Sequence, residues 1–212
     1  MKTRNWFSLT GVALFLGAGW LAAAPAEKIR NENVLVVEQA LAPGETLALP
    51  ASGACTLIYL DDGKAAATPV QGTPGPRAVK RGDVMFAPVP TGTVKNAGAT
   101  VLRVVRIGYL GKGSPEFWGR TGLSPNYVLL WEDSHSRIYD IKIPAGTSEP
   151  QHTHHNRVVV CLSGAELRHE MPDGRTETST LKTDEIVWRR GGTHVGHNLG
   201  KTDLWVLAIE PK

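Results

Sequence analysis

The chain has 212 residues, of which 42% are hydrophobic and 20% are charged, and its formal net charge is +3. This composition is typical of a folded globular protein and excludes a disordered chain. The small positive charge comes without a basic run, so no electrostatic feature favours a nucleic-acid partner. Glycine and proline number 23 and 14, which favours many short strands joined by turns.

Residues 1–26 have the features of a secretory signal peptide. Lys2 and Arg4 precede an uncharged apolar stretch from Trp6 to Leu21, and small residues follow at 22–26. The apolar stretch is shorter than the roughly 20 residues of a membrane-spanning helix. We therefore predict cleavage, no stable membrane anchor afterwards, and a periplasmic or secreted protein. An uncleaved membrane anchor is the alternative.

After this segment the pattern predicts strands and turns, without a long window of helical periodicity. Residues 110–126 have the composition of a linker between two halves. The β-type runs of the first half are 34–37, 56–60, 84–86 and 101–107, and those of the second are 136–143, 158–162, 185–188 and 204–209.

The two halves repeat the same pattern at a displacement of 102 positions. Gly44 falls on Gly146 (146 − 44 = 102), and Asn96 falls on Asn198. A constant displacement without a gap predicts two tandem all-β units of like fold, an N-terminal barrel at 27–109 and a C-terminal barrel at 127–212. Each unit must stack two sheets or close a barrel to bury its inward faces.

Cys55 and Cys161 lie in apolar runs of different halves. Buried free cysteine behaves as a small hydrophobic residue, so we expect both to be unpaired in the core. A disulfide between the halves is the alternative that an exported protein permits.

Residues 146–164, GTSEPQHTHHNRVVVCLSG, hold three histidines. On a strand, His152 and His154 point to one face and His155 to the other. Two imidazoles on one face are half of a metal site or of an acid–base site. At the displacement of 102 the first half has Pro50 and Ser52 in their places, so folding does not require the histidines.

These residues resemble the cupin superfamily, and the duplication resembles a bicupin with a degenerate N-terminal cupin. The first cupin motif is matched by Gly146, His152, His154 and Gly164, and the second by Gly191, His194 and Asn198. The resemblance implies two tandem cupin-like β-barrels, each a double-stranded β-helix or jelly roll. It also implies that His152, His154 and His194 converge on a metal ion, and that the protein forms a homodimer.

The sequence departs from the cupin pattern at two arginines. Arg157 stands where the cupin motif has a metal-binding Glu, and Arg189 replaces the Pro of the second motif. Three neutral imidazoles suit a divalent transition metal, namely Fe, Zn, Ni, Cu or Mn, but the missing carboxylate lowers the expected affinity for Mn. Arg157 could clamp a carboxylate or phosphate if it points inward, or carry a solvated charge if it points outward.

The other candidate residues receive weaker assignments. His197 is predicted to lie at the rim of the site and to contact the ligand, while Glu149 and Glu170 are minor candidates for further metal ligands. We expect His135 and His169 to be structural, His155 to be exposed, and Asn198 to be a turn residue. Trp188 is expected to fill the barrel core.

Three functions agree with this pattern. The first is a metal-binding bicupin that takes a small anionic ligand and carries out oxygenase or isomerase chemistry. The second is a binding protein without turnover, in which Arg157 has replaced the metal. The third is a structural protein with two degenerate barrels. The sequence alone does not decide whether the protein is an enzyme.

Overall fold

A computed structural model of the chain describes residues 24–49, 53–68, 75–87, 92–111 and 124–212. These residues form an all-β structure of 18 strands, as predicted. No helix of the described segments is long and apolar enough to cross a membrane. The predicted signal peptide lies outside the described residues except for its last three positions, and so do residues 112–123 of the predicted linker.

The strands of the first half are β1 (Ala26–Arg30), β2 (Val34–Leu41), β3 (Thr46–Ala48), β4 (Cys55–Tyr59), β5 (Gly63–Thr68), β6 (Arg77–Val79), β7 (Val84–Ala87), β8 (Thr93–Asn96) and β9 (Leu102–Tyr109). Those of the second half are β10 (Tyr127–Glu132), β11 (Ser136–Ile143), β12 (His152–His154), β13 (Arg157–Ser163), β14 (Ala165–Glu170), β15 (Thr176–Leu181), β16 (Ile186–Arg189), β17 (Gly192–Asn198) and β18 (Leu204–Pro211).

Each half contains one five-stranded and one four-stranded antiparallel sheet. The five-stranded sheets have the orders β1-β2-β9-β4-β7 and β10-β11-β18-β13-β16. The four-stranded sheets have the orders β3-β8-β5-β6 and β12-β17-β14-β15. β2 and β11 begin 102 residues apart (136 − 34 = 102) and end 102 residues apart (143 − 41 = 102). The strand pairs β5/β14, β7/β16 and β9/β18 keep the same displacement at both ends.

The apolar run at 158–162 is continuous because both faces of β13 are buried. Val159 and Cys161 face the interior of the second barrel, where they pack with residues such as Tyr139 and Leu204. Val158, Val160 and Leu162 face the other way, into a cluster shared with the first half. The first half contributes Val34, Val36, Ile58, Leu60, Val105 and Ile107 to this cluster. The five-stranded sheets therefore pack against each other across a shared apolar layer.

Two sequence predictions about core residues have different outcomes. Cys55 and Cys161 are both free and buried, which confirms the expectation of unpaired core cysteines. Trp188 does not fill the barrel interior. It is partly buried against the cluster between the two halves, because its position in β16 points to the outer face of the five-stranded sheet.

Ion pairs also connect the halves. Arg81 and Arg103 of the first half both contact Asp184 of the second, at 2.5 and 2.7 Å. Asp184 occupies a tight turn with φ of 67°, and the equivalent residue of the first half is Gly82, with φ of 86°. Arg81 also donates hydrogen bonds to the carbonyl oxygens of Leu60 and Leu162, which are equivalent residues of the two halves.

Candidate metal centre

Three histidines meet inside the second barrel, on the four-stranded sheet. β12 and β17 are antiparallel neighbours, and His152 lies directly opposite His194. His154 lies two residues further along β12, so its ring points to the same side as that of His152. One ligand nitrogen from each ring can be chosen such that all three lie within 4.8 Å of one another. The three residues are only 2, 5 and 8% exposed.

Hydrogen bonds fix the tautomers of two of these rings. Nδ1 of His152 donates to the carbonyl oxygen of Pro150 at 3.0 Å, and Nδ1 of His154 donates to that of His155 at 3.1 Å. A carbonyl oxygen only accepts, so in the neutral rings the lone pair is on Nε2. Nε2 of His154 is buried and has no hydrogen-bond partner. This is the state of an imidazole that is ready to bind a metal ion.

Burial keeps the three rings neutral. It lowers the pKa of His154 to about 2 and that of His194 to about 3, with smaller contributions from neighbouring positive charges. Burial also lowers the pKa of His152, and the charge of Arg157 acts in the same direction. Metal ions bind the neutral form of histidine, so the donor set fits a divalent transition metal at neutral pH.

Arg157 points inward, which resolves the alternative that the sequence leaves open. Its Nη1 donates to the hydroxyl oxygen of Tyr127 at 2.7 Å, and that hydroxyl lies 3.1 Å from Nε2 of His152. Because Nδ1 of His152 carries the ring proton, the Tyr127 hydroxyl donates to Nε2. Arg157 is therefore one hydrogen-bonded residue away from the histidine cluster, and Tyr127 occupies the lone pair that a metal would use.

Glu149 is the carboxyl group beside the cluster. Its side chain is 4% exposed, and its Oε1 lies 3.6 Å from Nε2 of His152. Burial raises the pKa of Glu149 to about 7, against the opposing effect of the charge of Arg157. Gly196 of β17 makes room for this carboxyl, because a Cβ there would collide with its Oε1. At the displacement of 102 the first half has Leu47 and Val94 in place of this pair.

His169 belongs to the site, contrary to the structural role predicted for it. Its ring centroid lies 4.6 Å from that of His194, in an edge-on arrangement. β14 places it there because β14 and β17 pair directly, with His169 opposite Gly196. The first half has Ala67 at the equivalent position, so the fold does not need a histidine here.

A cavity of about 430 Å³ opens from the histidines into the barrel. His154, His169, His194, Glu149 and Arg157 line its polar part. The inner part is apolar and is lined by residues such as Ile141, Val159 and Leu167.

The other predicted residues lie away from the cluster. His197 is on the opposite face of β17 from His194, where its Nδ1 lies 2.7 Å from the hydroxyl of Ser148. It does not line the cavity, so the geometry gives no support to a contact between His197 and the ligand. Oε2 of Glu170 lies 3.6 Å from Nε2 of His197, so Glu170 is beside that residue and not at the three-histidine cluster. His155 is half-buried, not exposed, and its backbone N–H donates to Glu210.

Several solved structures have a similar fold. The structure is similar to AerE from Microcystis aeruginosa, with a TM-score of 0.60 and 14% identity over 90% of this chain and 98% of that chain. It is also similar to a cupin 2 conserved barrel domain protein from Leptotrichia buccalis, with a TM-score of 0.58 and 14% identity over 89% and 88% of the two chains. The chain therefore has the cupin fold.

The Bacillus subtilis oxalate decarboxylase, whose structure is described as containing Mn(II) centres, is similar as well. The TM-score is 0.57 and the identity 14%, over 84% of this chain and 69% of that chain. No protein-family profile matches the sequence, and no characterised protein matches it by sequence. At this level of identity the comparisons establish the fold, and the three-histidine cluster fits a metal-binding cupin.

Proposed function

We propose that the protein is an exported bicupin that binds one divalent transition metal ion through His152, His154 and His194 and a small anionic ligand beside Arg157. The observation that supports this proposal most directly is the approach of three buried imidazoles, whose ligand nitrogens lie within 4.8 Å of one another. A metal bound there would supply Lewis-acid or dioxygen chemistry of the kind used by oxygenases and isomerases. The first barrel is the degenerate copy in this proposal.

The residues around the cluster have separate parts in this function. The Pro150 and His155 carbonyls orient the rings of His152 and His154. Arg157 attracts the anion and holds the Tyr127 hydroxyl. Glu149 is a carboxyl beside His152, with its Oε1 at 3.6 Å from Nε2. The neutral nitrogen donors favour Fe, Zn, Ni or Cu over Mn, unless Glu149 adds its carboxylate.

Metal analysis of the purified protein tests the proposal. We expect close to one transition-metal ion per chain, and a loss of at least about 90% of it in His152→Ala and His154→Ala, because each removes one of three ligands. His197→Gln is the matched control, since His197 lies on the same sheet but faces away from the cluster. Wild-type protein that takes up no metal from a mixture of the five candidate ions would contradict the proposal.

The Tyr127 hydroxyl favours a second candidate function. It occupies Nε2 of His152, as it would in a protein that binds an anion at Arg157 without a metal. Such a protein would bind its ligand equally well with and without a chelator. The metal-dependent function predicts weaker binding, or loss of turnover, in the presence of EDTA.

Export rests on the sequence of residues 1–26 and is tested separately. Expression of the full chain in a bacterial host, followed by fractionation and intact mass measurement, should give a periplasmic or secreted product that lacks about 22 to 26 N-terminal residues. A full-length product in the membrane fraction would favour the uncleaved anchor.

A further inference from the structure

The cavity beside the histidines has two chemically different ends. Its volume of about 430 Å³ has room for roughly 14 groups of the size of a water molecule, at about 30 Å³ each. This is far more than a two-carbon dianion such as oxalate requires. The size therefore indicates a larger ligand.

The inner end is a continuous apolar surface. The residues Ile141, Ile143, Val159, Leu167, Leu181 and Val206 line it. All six also belong to the apolar core of the second barrel, and none is more than 8% exposed. A ligand that enters this end has to bring apolar groups, because a polar group would lose its hydrogen bonds to water there.

The other end carries three arginines. Arg157 lies directly opposite Arg189 on the paired strands β13 and β16, and Arg190 also lines the cavity. Two like charges directly opposite on neighbouring strands destabilise a sheet unless an anion lies between or beside them. The Glu149 and Glu177 carboxyls also line the cavity, but neither forms an ion pair with these arginines. Nε of Arg157 is buried and has no hydrogen-bond partner among the described residues. A planar carboxylate would satisfy these donors in a bidentate geometry.

We propose that the cavity takes a monocarboxylic acid with an apolar chain, whose carboxylate meets the arginines while the chain lies on the inner apolar surface. This inference rests on the proposed function for the presence of an anionic ligand and names its chemical class. Given the volume, the acid has roughly six to ten carbon atoms. His154 and His194 line the same cavity, so the chain carbons near the carboxylate lie beside the proposed metal ligands.

A series of straight-chain acids tests this inference on the full wild-type protein. Isothermal titration calorimetry would measure binding of acetate, butanoate, hexanoate and octanoate, with oxalate as the short dianion. We expect affinity to rise by about fourfold for each added methylene, because each one leaves water for an apolar surface. Octanoate should bind at least about a hundredfold more tightly than acetate or oxalate.

Three variants locate the two ends of the ligand. Arg157→Gln and Arg189→Gln should each weaken octanoate binding by at least about tenfold and leave the increment per methylene unchanged. Leu167→Phe should weaken octanoate binding and spare butanoate, because the larger ring fills the apolar end. Arg175→Gln is the control, since Arg175 lies in an exposed hairpin turn, where it pairs with Asp173.

The outcomes separate this inference from the proposed function. An affinity that does not depend on chain length, tighter binding of oxalate than of octanoate, or no binding of any acid would overturn the inference. The wild-type series decides this even if a variant does not fold. Metal content, measured on the same samples, tests the proposed metal site independently. A metal-free protein whose affinity still rises with chain length would contradict only the proposed metal site.

Discussion

Tyr127 connects the histidine cluster with Arg157 through hydrogen bonds of its hydroxyl. Its hydroxyl accepts a hydrogen bond from Arg157 and donates one to Nε2 of His152. This hydroxyl and a metal ion would compete for the same nitrogen lone pair. Occupancy of the metal site should therefore release the hydroxyl from His152 and change the position of Arg157, which links metal binding to anion binding.

The variant Tyr127→Phe tests this competition. Loss of the hydroxyl leaves two buried groups short of a partner, so we expect the metal-free variant to lose about 1–3 kcal/mol of stability. A metal ion restores a partner to His152, so adding metal should raise the Tm of the variant by more than that of the wild type. Thermal unfolding with and without metal measures both effects.

Tyr109→Phe is the matched control for this prediction. It removes a hydroxyl that is bonded to Thr56 at 2.6 Å. Tyr109 stacks on His135, which is not one of the three clustered histidines. The Tm shift on adding metal should therefore stay at the wild-type value. Equal metal-induced shifts in the Tyr127 variant and the wild type would show that the hydroxyl and the metal do not compete.

The spacing of His152, His154 and His194 predicts the triad because two of these residues alternate on one strand and the third follows a recognisable motif. Tyr127 could not be found in this way, since it reaches the site from β10, across a linker that fixes no spacing. Glu149, Gly196 and His169 could have been found by comparing the two halves of the sequence. At the displacement of 102 the first half has Leu47, Val94 and Ala67, so the second half departs from an apolar scaffold at three neighbouring positions.

At the scale of elements, the two barrels share one hydrogen-bond arrangement, in which an asparagine side chain bonds to the backbone of the turn that follows β8 or β17. The Asn96 side chain donates to the carbonyls of Leu41 and Thr100 and accepts from the N–H of Gly98. Asn198 makes the same three bonds with Ile143, Thr202 and Gly200. This confirms the prediction that Asn198 is a turn residue.

We expect Asn96→Ala and Asn198→Ala to destabilise the protein by similar amounts, about 2–4 kcal/mol each. Both side chains are 1% exposed, and each substitution would leave one buried carbonyl without its partner, that of Leu41 or Ile143. Urea unfolding measures the loss. Asn96→Ala should retain the metal content of the wild type, since Asn96 lies in the half without the histidines. An effect below about 0.5 kcal/mol in either variant would contradict an equivalent structural role.

The strand pattern of each half could be predicted because alternation and turn residues are local signals. The outer face of the five-stranded sheets could not be assigned, because the run at 158–162 is apolar at every position and hides its two-residue period. The prediction that Trp188 fills the barrel core is wrong for the same reason. Its sequence neighbours show that it is buried, but not whether it faces its own barrel or the other half.

At the scale of the whole molecule, Asp184 holds the halves together by accepting from two arginines of the other half. Arg81 and Arg103 reach its two oxygens, and Arg103 also pairs with Asp61 at 2.8 Å. Burial would raise the pKa of Asp184, but the hydrogen bonds and charges of the two arginines outweigh it, and the pKa is lowered from 3.8. The folded protein therefore favours the ionised form of Asp184 more than the unfolded chain does.

The variant Asp184→Asn should therefore lower stability in a pH-dependent way. Asn tolerates the positive φ of this turn, so the substitution removes the charge and spares the backbone. We expect a loss of about 1–3 kcal/mol at pH 7 in urea unfolding, because two arginines lose a half-buried partner. A carboxyl whose folded-state pKa is lowered stabilises the protein above its ordinary pKa, and this contribution is lost as the pH falls through the folded-state value.

The free energy of unfolding should accordingly differ most between wild type and Asp184→Asn above about pH 5. This difference should shrink progressively below about pH 4, as Asp184 becomes protonated in the wild type. Asp173→Asn is the control, because Asp173 forms an exposed pair with Arg175 within one hairpin. It should change stability by less than about 0.5 kcal/mol at either pH. A stability difference for Asp184→Asn that stays constant from pH 7 to pH 3 would mean that the charge of Asp184 does not hold the halves together.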